Sequence, residues 1–266
     1  MIRIIVCGAA GRMGGRIIAC AREEGDLMIT GAVERAGHPD LGRDAGEVSG
    51  AGRLGLPLTD SLEDVIGSGD VVIDFSAPTA ALAAAAAAAA HRKPLVIGTT
   101  GLCPEEEARL KKTVAGIACL FSPNMSVGVN LLFRLVEETA GALGDGYDIE
   151  IVEAHHRLKK DAPSGTARQI AELAASALGR DLSAAAVYGR QGMTGERPRG
   201  EIGIHSVRAG DIVGDHTVIF SAPGERLELI HRAHSRDTFA RGALRAARFV
   251  ASAAPGIYTM RDVLGI

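Results

Sequence analysis

The chain has 266 residues, enough for one large domain or two domains of about 100–200 residues each. Apolar residues make up 47% and charged residues 23%, as in ordinary globular proteins, so a fibrous or disordered chain is excluded. A net charge of −3, 3% aromatic residues and no Trp argue against a nucleic-acid partner, which needs basic patches and stacking platforms. The 34 glycines are the one excess, and glycine serves where backbone bends through positive φ or approaches a ligand closely.

The cysteines and the N-terminus indicate where the protein works. Cys7, Cys20, Cys103 and Cys119 form no C-x-x-C pair and have no regular spacing, so neither a disulfide framework nor a cysteine zinc site is expected. The N-terminal sequence reaches turn glycines too soon for a signal peptide. The alanine-rich run Ala80 to Ala90 is about half a membrane span and favours a soluble helix. We therefore expect a cytoplasmic protein with no membrane segment.

The first half of the chain alternates predicted strands and helices. Strands are predicted at Ile2 to Cys7, Met28 to Val33, Val71 to Phe75, Leu95 to Ile97 and Ile117 to Phe121. Helices are predicted at Arg12 to Glu24, Ala80 to Ala90 and Glu105 to Val114. This alternation is typical of βαβ units. It predicts an α/β fold with a Rossmann-like, doubly wound parallel sheet.

The second half has a different rhythm. Helices are predicted at about Val129 to Leu143, Thr166 to Leu178 and Thr238 to Ala253, and strands at Tyr147 to Ala154, Gly203 to Arg208, Thr217 to Ser221 and Arg226 to Arg232. The Gly-, Arg- and Pro-containing segment Gly189 to Gly200 predicts a long mobile loop. Gly and Asp between the last three strands favour tight turns. We expect a second α+β domain with a mostly antiparallel or mixed sheet.

A glycine-rich motif, Gly8 to Gly14 (GAAGRMG), joins the first strand to the first helix. Glycines there permit a tight turn and let a pyrophosphate approach the N–H groups at the positive end of the helix. Glu34, at the end of the second strand, suits the adenosine ribose hydroxyls, while Arg35 suits a 2′-phosphate, so both NADH and NADPH are expected to bind. The alternatives are a βα turn without a ligand and an exposed charge pair at a strand end.

Two further loops follow predicted strands, Gly98 to Gly101 (GTTG) and Ser122 to Met125 (SPNM). In an open α/β sheet the ligand crevice lies at the carboxyl ends of the strands. The two loops are therefore candidate contacts for the ribose and nicotinamide, although each alone is an ordinary turn. Phe75, which ends another strand at the same edge, is expected to be a core residue.

The segment Glu153 to Ala167, EAHHRLKKDAPSGTA, carries seven ionisable groups from a strand to the start of a helix. Ser164 is a plausible N-cap, and the N–H groups of Gly165 and Thr166 suit a substrate carboxylate. His and Lys side chains are the types that protonate a substrate receiving a hydride. The alternatives are a solvated basic loop and a zinc site. The zinc site is disfavoured because the histidines are adjacent and no H-x-x-x-H or cysteine partner is near.

These motifs, with DFSAP, HSVRAGDIVGDHTV and SRDTFARGALRAA, together resemble the 4-hydroxy-tetrahydrodipicolinate reductase (dihydrodipicolinate reductase) family along nearly the whole chain. The resemblance implies NAD(P)H-dependent reduction of a cyclic imine dicarboxylate in the diaminopimelate route to lysine. It implies His155 as proton donor or acceptor, Lys159 as a second proton donor, and substrate contacts from His156, Gly165 and Thr166, with no metal. It implies cofactor contacts from Gly8, Ala9, Ala10, Gly11, Arg12, Met13, Glu34, Arg35, Gly98, Thr99, Thr100, Ser122, Pro123, Asn124 and Met125. Motif spacing, rather than charge, selects Lys159 over the adjacent Lys160.

The resemblance also implies a homotetramer built through the second domain. We expect a dinucleotide-binding domain at 1–126 plus 237–266 and a substrate-binding and oligomerisation domain at 127–236, since the last helix is expected to return to the first domain. Hydride transfer requires the two halves to converge, with hinges near Met125–Asn130 and Arg236–Phe239. The alternatives are another two-domain nicotinamide enzyme, such as an amino-acid dehydrogenase, and a non-catalytic nucleotide sensor. Neither alternative accounts for the HHR-x-K block.

Overall fold

A computed structural model describes all 266 residues, which form two compact units. The first unit is Met1–Val127 together with Arg236–Ile266, and the second is Gly128–Ser235. The chain passes between the units close to the two predicted hinges. None of the helices is both long and apolar enough to cross a membrane.

Strands and helices are numbered in chain order. The strands are β1 (Ile2–Cys7), β2 (Leu27–Val33), β3 (Val71–Asp74), β4 (Leu95–Ile97), β5 (Ala118–Phe121), β6 (Asp148–His155), β7 (Ala186–Tyr188), β8 (Ile202–Arg208), β9 (Gly214–Ala222), β10 (Glu225–Ala233) and β11 (Gly256–Tyr258). The helices are α1 (Arg12–Arg22), α2 (Ala45–Val48), α3 (Leu62–Val65), α4 (Pro78–Ala90), α5 (Pro104–Thr113), α6 (Val127–Leu143), α7 (Gly165–Ala177), α8 (Leu182–Ala185), α9 (Asp237–Val250) and α10 (Met260–Leu264).

The first unit is built on a six-stranded sheet of order β11-β5-β4-β3-β1-β2, in which every pair is parallel. Side chains along β1 alternate between two cores: Ile4 and Val6 join the core that contains residues of α1 and α9, while Ile5 and Cys7 join the core that contains residues of α4 and α5. A sheet buried on both faces explains why these strands read as continuous apolar runs. The predicted Rossmann-like parallel sheet is confirmed.

Helix α9 contacts the segment that follows β5. Gly242 of α9 lies so close to the Met125 carbonyl that a Cβ atom there would be 1.8 Å from its oxygen. The start of α9 is tied to α1 by an ion pair in which Arg16 Nε lies 2.6 Å from Asp237 Oδ1. The C-terminal part of the chain therefore supports the loop that contains Met125.

The second unit contains a mixed five-stranded sheet of order β10-β9-β6-β8-β7. β6 is antiparallel to β9 and parallel to β8, and β7 is also parallel to β8. Parallel strands need crossover connections. Helices α7 and α8 connect β6 to β7, and the 189–200 segment connects β7 to β8. The predicted mixed sheet is thus confirmed. Apolar residues of α6, α7 and the sheet form the core of this unit.

The 189–200 segment contains no helix or strand, as predicted, and arginines attach it to the sheet. Arg190 donates two hydrogen bonds to Glu150, and Arg197 Nε donates to Glu150 Oε1 at 2.9 Å. His205 Nε2 lies 2.7 Å from the other Glu150 oxygen. Burial by itself raises the pKa of Glu150, but these hydrogen bonds outweigh burial and lower it to about 2.

Short elements are the main features that the sequence did not predict. β7 and β11 have three residues each, and α2, α3 and α8 have four. Stretches of this length are too short to show a hydrophobic period, so their structure depends on contacts with other elements of the fold. Helix α9 ends at Val250 rather than at the predicted Ala253. It is followed by β11, which joins the edge of the parallel sheet beside β5, and by the five-residue α10.

The contact between α9 and the Met125 carbonyl predicts opposite effects for the same substitution at two helical glycines. Gly242→Ala should destabilise the protein by about 1–3 kcal/mol because the new methyl group overlaps backbone. Gly141→Ala in α6 meets open space and should stabilise by about 0.5–1 kcal/mol through helix propensity. Urea unfolding of the two variants measures both signs. Equal effects would contradict the close packing at Gly242.

The charged cluster around Glu150 predicts a pH-dependent stability. Because the pKa of Glu150 is lower in the folded protein than in the unfolded chain, its stabilisation is present above about pH 4.5 and is lost as pH falls toward 2. Glu150→Gln should cost about 1–3 kcal/mol at pH 7, and the gap from wild type should narrow below pH 4.5. The control is Glu172→Gln, whose exposed ion pair with Arg168 contributes little. Urea unfolding across this pH range tests the prediction, which a gap that is constant with pH would contradict.

Candidate active site

The glycine turn after β1 is shaped by contacts within the chain. Gly8 has φ +75°, and a Cβ atom there would lie 2.4 Å from the Phe75 carbonyl oxygen. A Cβ on Gly14 would lie 2.1 Å from the Gly8 carbonyl oxygen, which also accepts a hydrogen bond from Gly11 N–H at 3.0 Å. Gly11 begins α1 without a side-chain cap, and the first turn of α1 has no acidic residue. The N-terminus of α1 therefore presents N–H groups suited to an anion.

A cleft of about 520 Å³ lies at the carboxyl edge of the parallel sheet. It brings together predicted cofactor residues from three loops. Its lining consists of Gly11, Arg12, Met13, Phe75, Ser76, Gly98, Thr99, Thr100, Pro123, Asn124, Met125 and Phe239. Phe239 of α9 and Ser76 were not predicted, although both stand in motifs that carried the resemblance. Phe75 packs against the core, as expected, and also lines the cleft.

A second cleft of about 670 Å³ is lined by Gly8, Glu34, Arg35, the 60–63 segment and alanines of α4. It shares Gly11, Phe75 and Ser76 with the first cleft. The Glu34 carboxylate accepts hydrogen bonds from Ala10 N–H at 3.1 Å and from Arg35 N–H at 2.9 Å. These bonds fix the carboxylate beside the glycine turn.

Three of the predicted cofactor residues do not line either cleft. Ala9 is 1% exposed, and its N–H donates to the Val33 carbonyl. Ala10 directs its N–H to Glu34. Ser122 is buried, and its hydroxyl donates to the Asn124 carbonyl at 2.9 Å. These three residues shape the loops that line the clefts.

The residues of the first unit fit a dinucleotide. The uncapped N-terminus of α1 suits the pyrophosphate, and the fixed Glu34 carboxylate is an acceptor for ribose hydroxyls. The wider cleft has an apolar wall from the exposed alanine face of α4. Arg35 is exposed next to Glu34 and can pair with a phosphate.

In the second unit, the end of β6 carries a buried ion cluster. Glu153 is 0% exposed and accepts from Arg208 Nη1 at 2.9 Å and Nη2 at 2.8 Å, a two-point pairing. Its carboxylate also lies 2.5 Å from His155 Nδ1 and accepts from Ser164 N–H at 3.2 Å. Burial by itself raises the pKa of Glu153, but hydrogen bonds from Arg208, Ser206 and His155 lower it to about 2. Glu153 is thus ionised at neutral pH.

The ionised Glu153 determines the tautomer of His155. Because an ionised carboxylate only accepts hydrogen bonds, we assign the proton to Nδ1 of His155, which leaves Nε2 as an acceptor. Burial lowers the pKa of His155, against the opposing effect of Glu153. The imidazole is therefore neutral at pH 7.

Two more histidines lie beside His155. The ring centroids of His155 and His216 are 5.3 Å apart, and those of His216 and His231 are 6.4 Å apart. His216 is 4% exposed, and burial together with the neighbouring His155 and His231 lowers its pKa to about 3. Its Nε2 lies 3.3 Å from Ser164 Oγ, while its Nδ1 has no hydrogen-bond partner. No group of three or more His, Cys, Asp or Glu side chains has an arrangement that could hold a metal ion.

Lys159 and the start of α7 complete this region. Lys159 Nζ lies 2.9 Å from Asp161 Oδ2 on the loop between β6 and α7. Ser164 caps α7 as predicted, since its hydroxyl accepts from Ala167 N–H at 3.1 Å. Gly165 is exposed and Thr166 is half-buried in the first turn. His156 is half-buried, and its Nδ1 is buried without a hydrogen-bond partner.

Sequence reasoning missed the roles of Glu153, Arg208 and His216. The period of two along a strand is the signal that links Glu153 to His155, because residues i and i+2 share a face. Arg208 and His216 come from β8 and β9, and only the sheet register brings them to β6: Glu153 stands opposite His216, and His155 opposite Arg208.

Comparisons with known proteins cover the whole chain. A model of the dihydrodipicolinate reductase N-terminus matches residues 2–125, and a model of its C-terminus matches residues 128–264. Among relatives named 4-hydroxy-tetrahydrodipicolinate reductase, that of Syntrophus aciditrophicus is 53% identical over 265 residues, covering 100% of this chain and 99% of the relative. That of Citrifermentans bemidjiense is 52% identical over 266 residues, with 100% of both chains covered.

Among solved structures, the dipicolinate-bound dihydrodipicolinate reductase from Paenisporosarcina sp. TG-14 aligns with a TM-score of 0.76 at 23% identity, covering 97% of each chain. This likeness shows a shared fold. The match of both family models and the identity to full-length relatives carry the assignment further. The chain therefore belongs to the 4-hydroxy-tetrahydrodipicolinate reductase (dihydrodipicolinate reductase) family.

Proposed function

We propose that this protein uses NADH or NADPH to reduce 4-hydroxy-tetrahydrodipicolinate, a cyclic imine dicarboxylate, to tetrahydrodipicolinate in the diaminopimelate route to lysine. Family membership over the full length supports the reaction. The observation that carries the site is the buried Glu153–His155 pair beside the first turn of α7. It combines a fixed imidazole with N–H groups suited to a carboxylate.

The nicotinamide cofactor, when bound, supplies the hydride. The clefts of the first unit are the proposed cofactor site, with Glu34 directed to the adenosine ribose and the α1 N-terminus to the pyrophosphate. The loops Gly98–Thr100 and Ser122–Met125 are proposed to lie against the nicotinamide half. Ala9 and Ala10 are proposed to contribute through the shape of the glycine turn, and Ser122 through the shape of its own loop.

The second unit is proposed to hold the substrate and move the proton. Reduction of the conjugated imine leaves an electron-rich carbon that must gain a proton. The Lys159 ammonium is a donor, whereas the neutral His155, protonated at Nδ1 toward Glu153, offers Nε2 as an acceptor. This arrangement supports Lys159 as proton donor and His155 as its partner in the transfer. His156 and the N–H groups of Gly165 and Thr166 are proposed to bind the two carboxylates.

We also propose that the protein is a cytoplasmic homotetramer assembled through the second unit. The mixed sheet of that unit carries two exposed apolar side chains on the face away from its core, Val207 of β8 and Ile230 of β10. An apolar sheet face of this kind suits burial against another copy. Light scattering gives the number of copies in solution.

The reaction is tested by following NADH absorbance with substrate generated by the preceding synthase. Purified protein should oxidise NADH only when that substrate is supplied. NADH binding without oxidation would contradict the proposal and would favour a nucleotide sensor or a dehydrogenase with another substrate.

The proposed role of Lys159 predicts a large loss of turnover. Lys159→Ala should lower kcat by about 10²–10⁴-fold, the usual contribution of a general acid, with the Kd for NADH unchanged. The matched control is Lys160→Ala, because Lys160 is the adjacent, exposed lysine. Steady-state kinetics and NADH titration measure the two quantities. Equal activities of the two variants would contradict the assignment.

Substitutions at the neighbouring Glu34 and Arg35 should affect the use of NADH and NADPH in different ways. Glu34→Ala should raise the KM for NADH with little change in kcat at saturating cofactor, because it removes a ribose acceptor that acts in binding. Arg35→Ala should raise the KM for NADPH more than the KM for NADH, because it removes the cation for a 2′-phosphate. Kinetics with both cofactors form the test. A primary effect on kcat, or the same change for both cofactors in both variants, would contradict these roles.

A further inference from the structure

A buried carboxylate at the end of β3, that of Asp74, lies outside the proposed chemistry. Asp74 is 0% exposed in the carboxyl edge of the parallel sheet, where Cys7 of β1 and Ile97 of β4 are its strand partners. No Lys, Arg or His side chain pairs with it. A buried acid without a cation is costly unless hydrogen bonds compensate it, so its presence here points to a role.

Two hydroxyl groups compensate Asp74. Thr99 Oγ1 donates to Asp74 Oδ1 at 2.5 Å, and Ser76 Oγ donates to Asp74 Oδ2 at 2.8 Å. The Thr99 hydroxyl also accepts a hydrogen bond from Ser76 N–H at 2.8 Å. Thr99 is 5% exposed, and its hydroxyl is already used as donor and as acceptor. The Thr99 hydroxyl therefore joins Asp74 to the loop that follows β3.

These bonds continue the pairing of β3 and β4 beyond the ends of the strands. Asp74 pairs with Ile97 as the last step of the ladder. One residue further, the Phe75 ring packs on Gly98, where a Cβ atom would lie 2.1 Å from the ring. At the next residue, Ser76 N–H binds the Thr99 hydroxyl. The loops after β3 and β4 are thus held in register for two residues past the sheet.

Both loops line the first cleft. Phe75, Ser76, Gly98, Thr99 and Thr100 supply five of its lining residues. A change of register between the two loops would therefore displace the lining residues of both loops. The hydrogen bonds of Asp74 therefore determine the shape of the wall although its own side chain is buried beneath it.

We propose that Asp74 is a positioning residue for the nicotinamide cofactor: through the Thr99 and Ser76 hydroxyls it locks the loops after β3 and β4 into the wall of the cofactor cleft. This inference rests on the proposed function for its ligand, but the lock itself is a property of the protein without cofactor. Burial raises the pKa of Asp74, and the two hydroxyls oppose this rise by favouring the ionised form.

Substitutions at Asp74 and Thr99 test the lock, with a control at the other end of β3. Asp74→Asn places an amide donor against hydroxyl donors, and Thr99→Val removes only the hydroxyl at constant shape. Thr99→Ser retains the hydroxyl and is the conservative rescue. Asp70→Asn is the matched control, because Asp70 precedes β3 at the opposite end of the strand and pairs with Arg3.

The first measurement is amide hydrogen exchange of the protein without cofactor. Thr99→Val and Asp74→Asn should raise the exchange of Ser76 and of residues 98–100 about tenfold or more, in excess of any change elsewhere in the sheet. Thr99→Ser should recover most of the protection, and Asp70→Asn should leave these amides as in the wild type. Unchanged exchange in Thr99→Val would overturn the lock, whatever the protein binds.

The second measurement is NADH binding by titration and the KM for NADH. Thr99→Val should raise both about tenfold, the effect of losing one well-placed hydrogen bond, with a smaller change in kcat at saturating NADH. Thr99→Ser should recover most of the affinity, and Asp70→Asn should alter stability only. Equal losses in Thr99→Val and Thr99→Ser would overturn the role of the hydroxyl. A wild-type protein that binds no NADH would count against the proposed function, and the exchange data would still decide the lock.

Discussion

Close backbone contact at the carboxyl edge of the parallel sheet is the constraint on which the first unit depends. Gly8 and Gly98 each leave room for Phe75, through its carbonyl oxygen and its ring respectively, and Gly14 leaves room for the Gly8 carbonyl. The missing side chains of Gly14 and Gly98 thus make room for other parts of the chain, and Gly98 also lines the cleft. Loops that lie this close together can present their remaining residues to one cleft.

Two buried carboxylates in the structure are stabilised in different ways. Glu153 is held by a two-point pairing with Arg208, which keeps it ionised and lets it orient the His155 ring. Asp74 has only neutral partners, the Thr99 and Ser76 hydroxyls and the Ser76 N–H at 3.4 Å, and burial raises its pKa. The first carboxylate fixes a proton on a neighbouring ring, whereas the second fixes the register of two loops. In both, the energetic cost of a buried charge is offset by a rigid set of donors.

How much of the structure can be predicted from the sequence depends on how far apart along the chain the interacting residues lie. Strands β1 to β5, the cap at Ser164 and the charged loop between β6 and α7 follow from local patterns, because neighbouring residues decide them. The clustering of His155 with Arg208, His216 and His231 does not, because it requires the register of four strands that are separated by an irregular segment. The Asp74 lock was missed for the same reason: DFSAP and GTTG were each interpretable as loops, but nothing local joins Asp74 to Thr99. The roles of the site residues stay predictions until the variants are measured.

The charges near His155 differ in how easily a substrate can displace them. Glu153 is fully buried and its partners satisfy both oxygens, so removing Arg208 from it would leave an uncompensated charge. The ion pair between Lys159 and Asp161 involves an acid side chain that is 61% exposed, and such pairs contribute little net stability. A substrate carboxylate can therefore take the place of Asp161 at small cost, while the Glu153–His155 geometry persists. The region thus combines a fixed imidazole with an exchangeable ammonium, an arrangement that suits the proposed binding of a dianion and the proposed proton transfer.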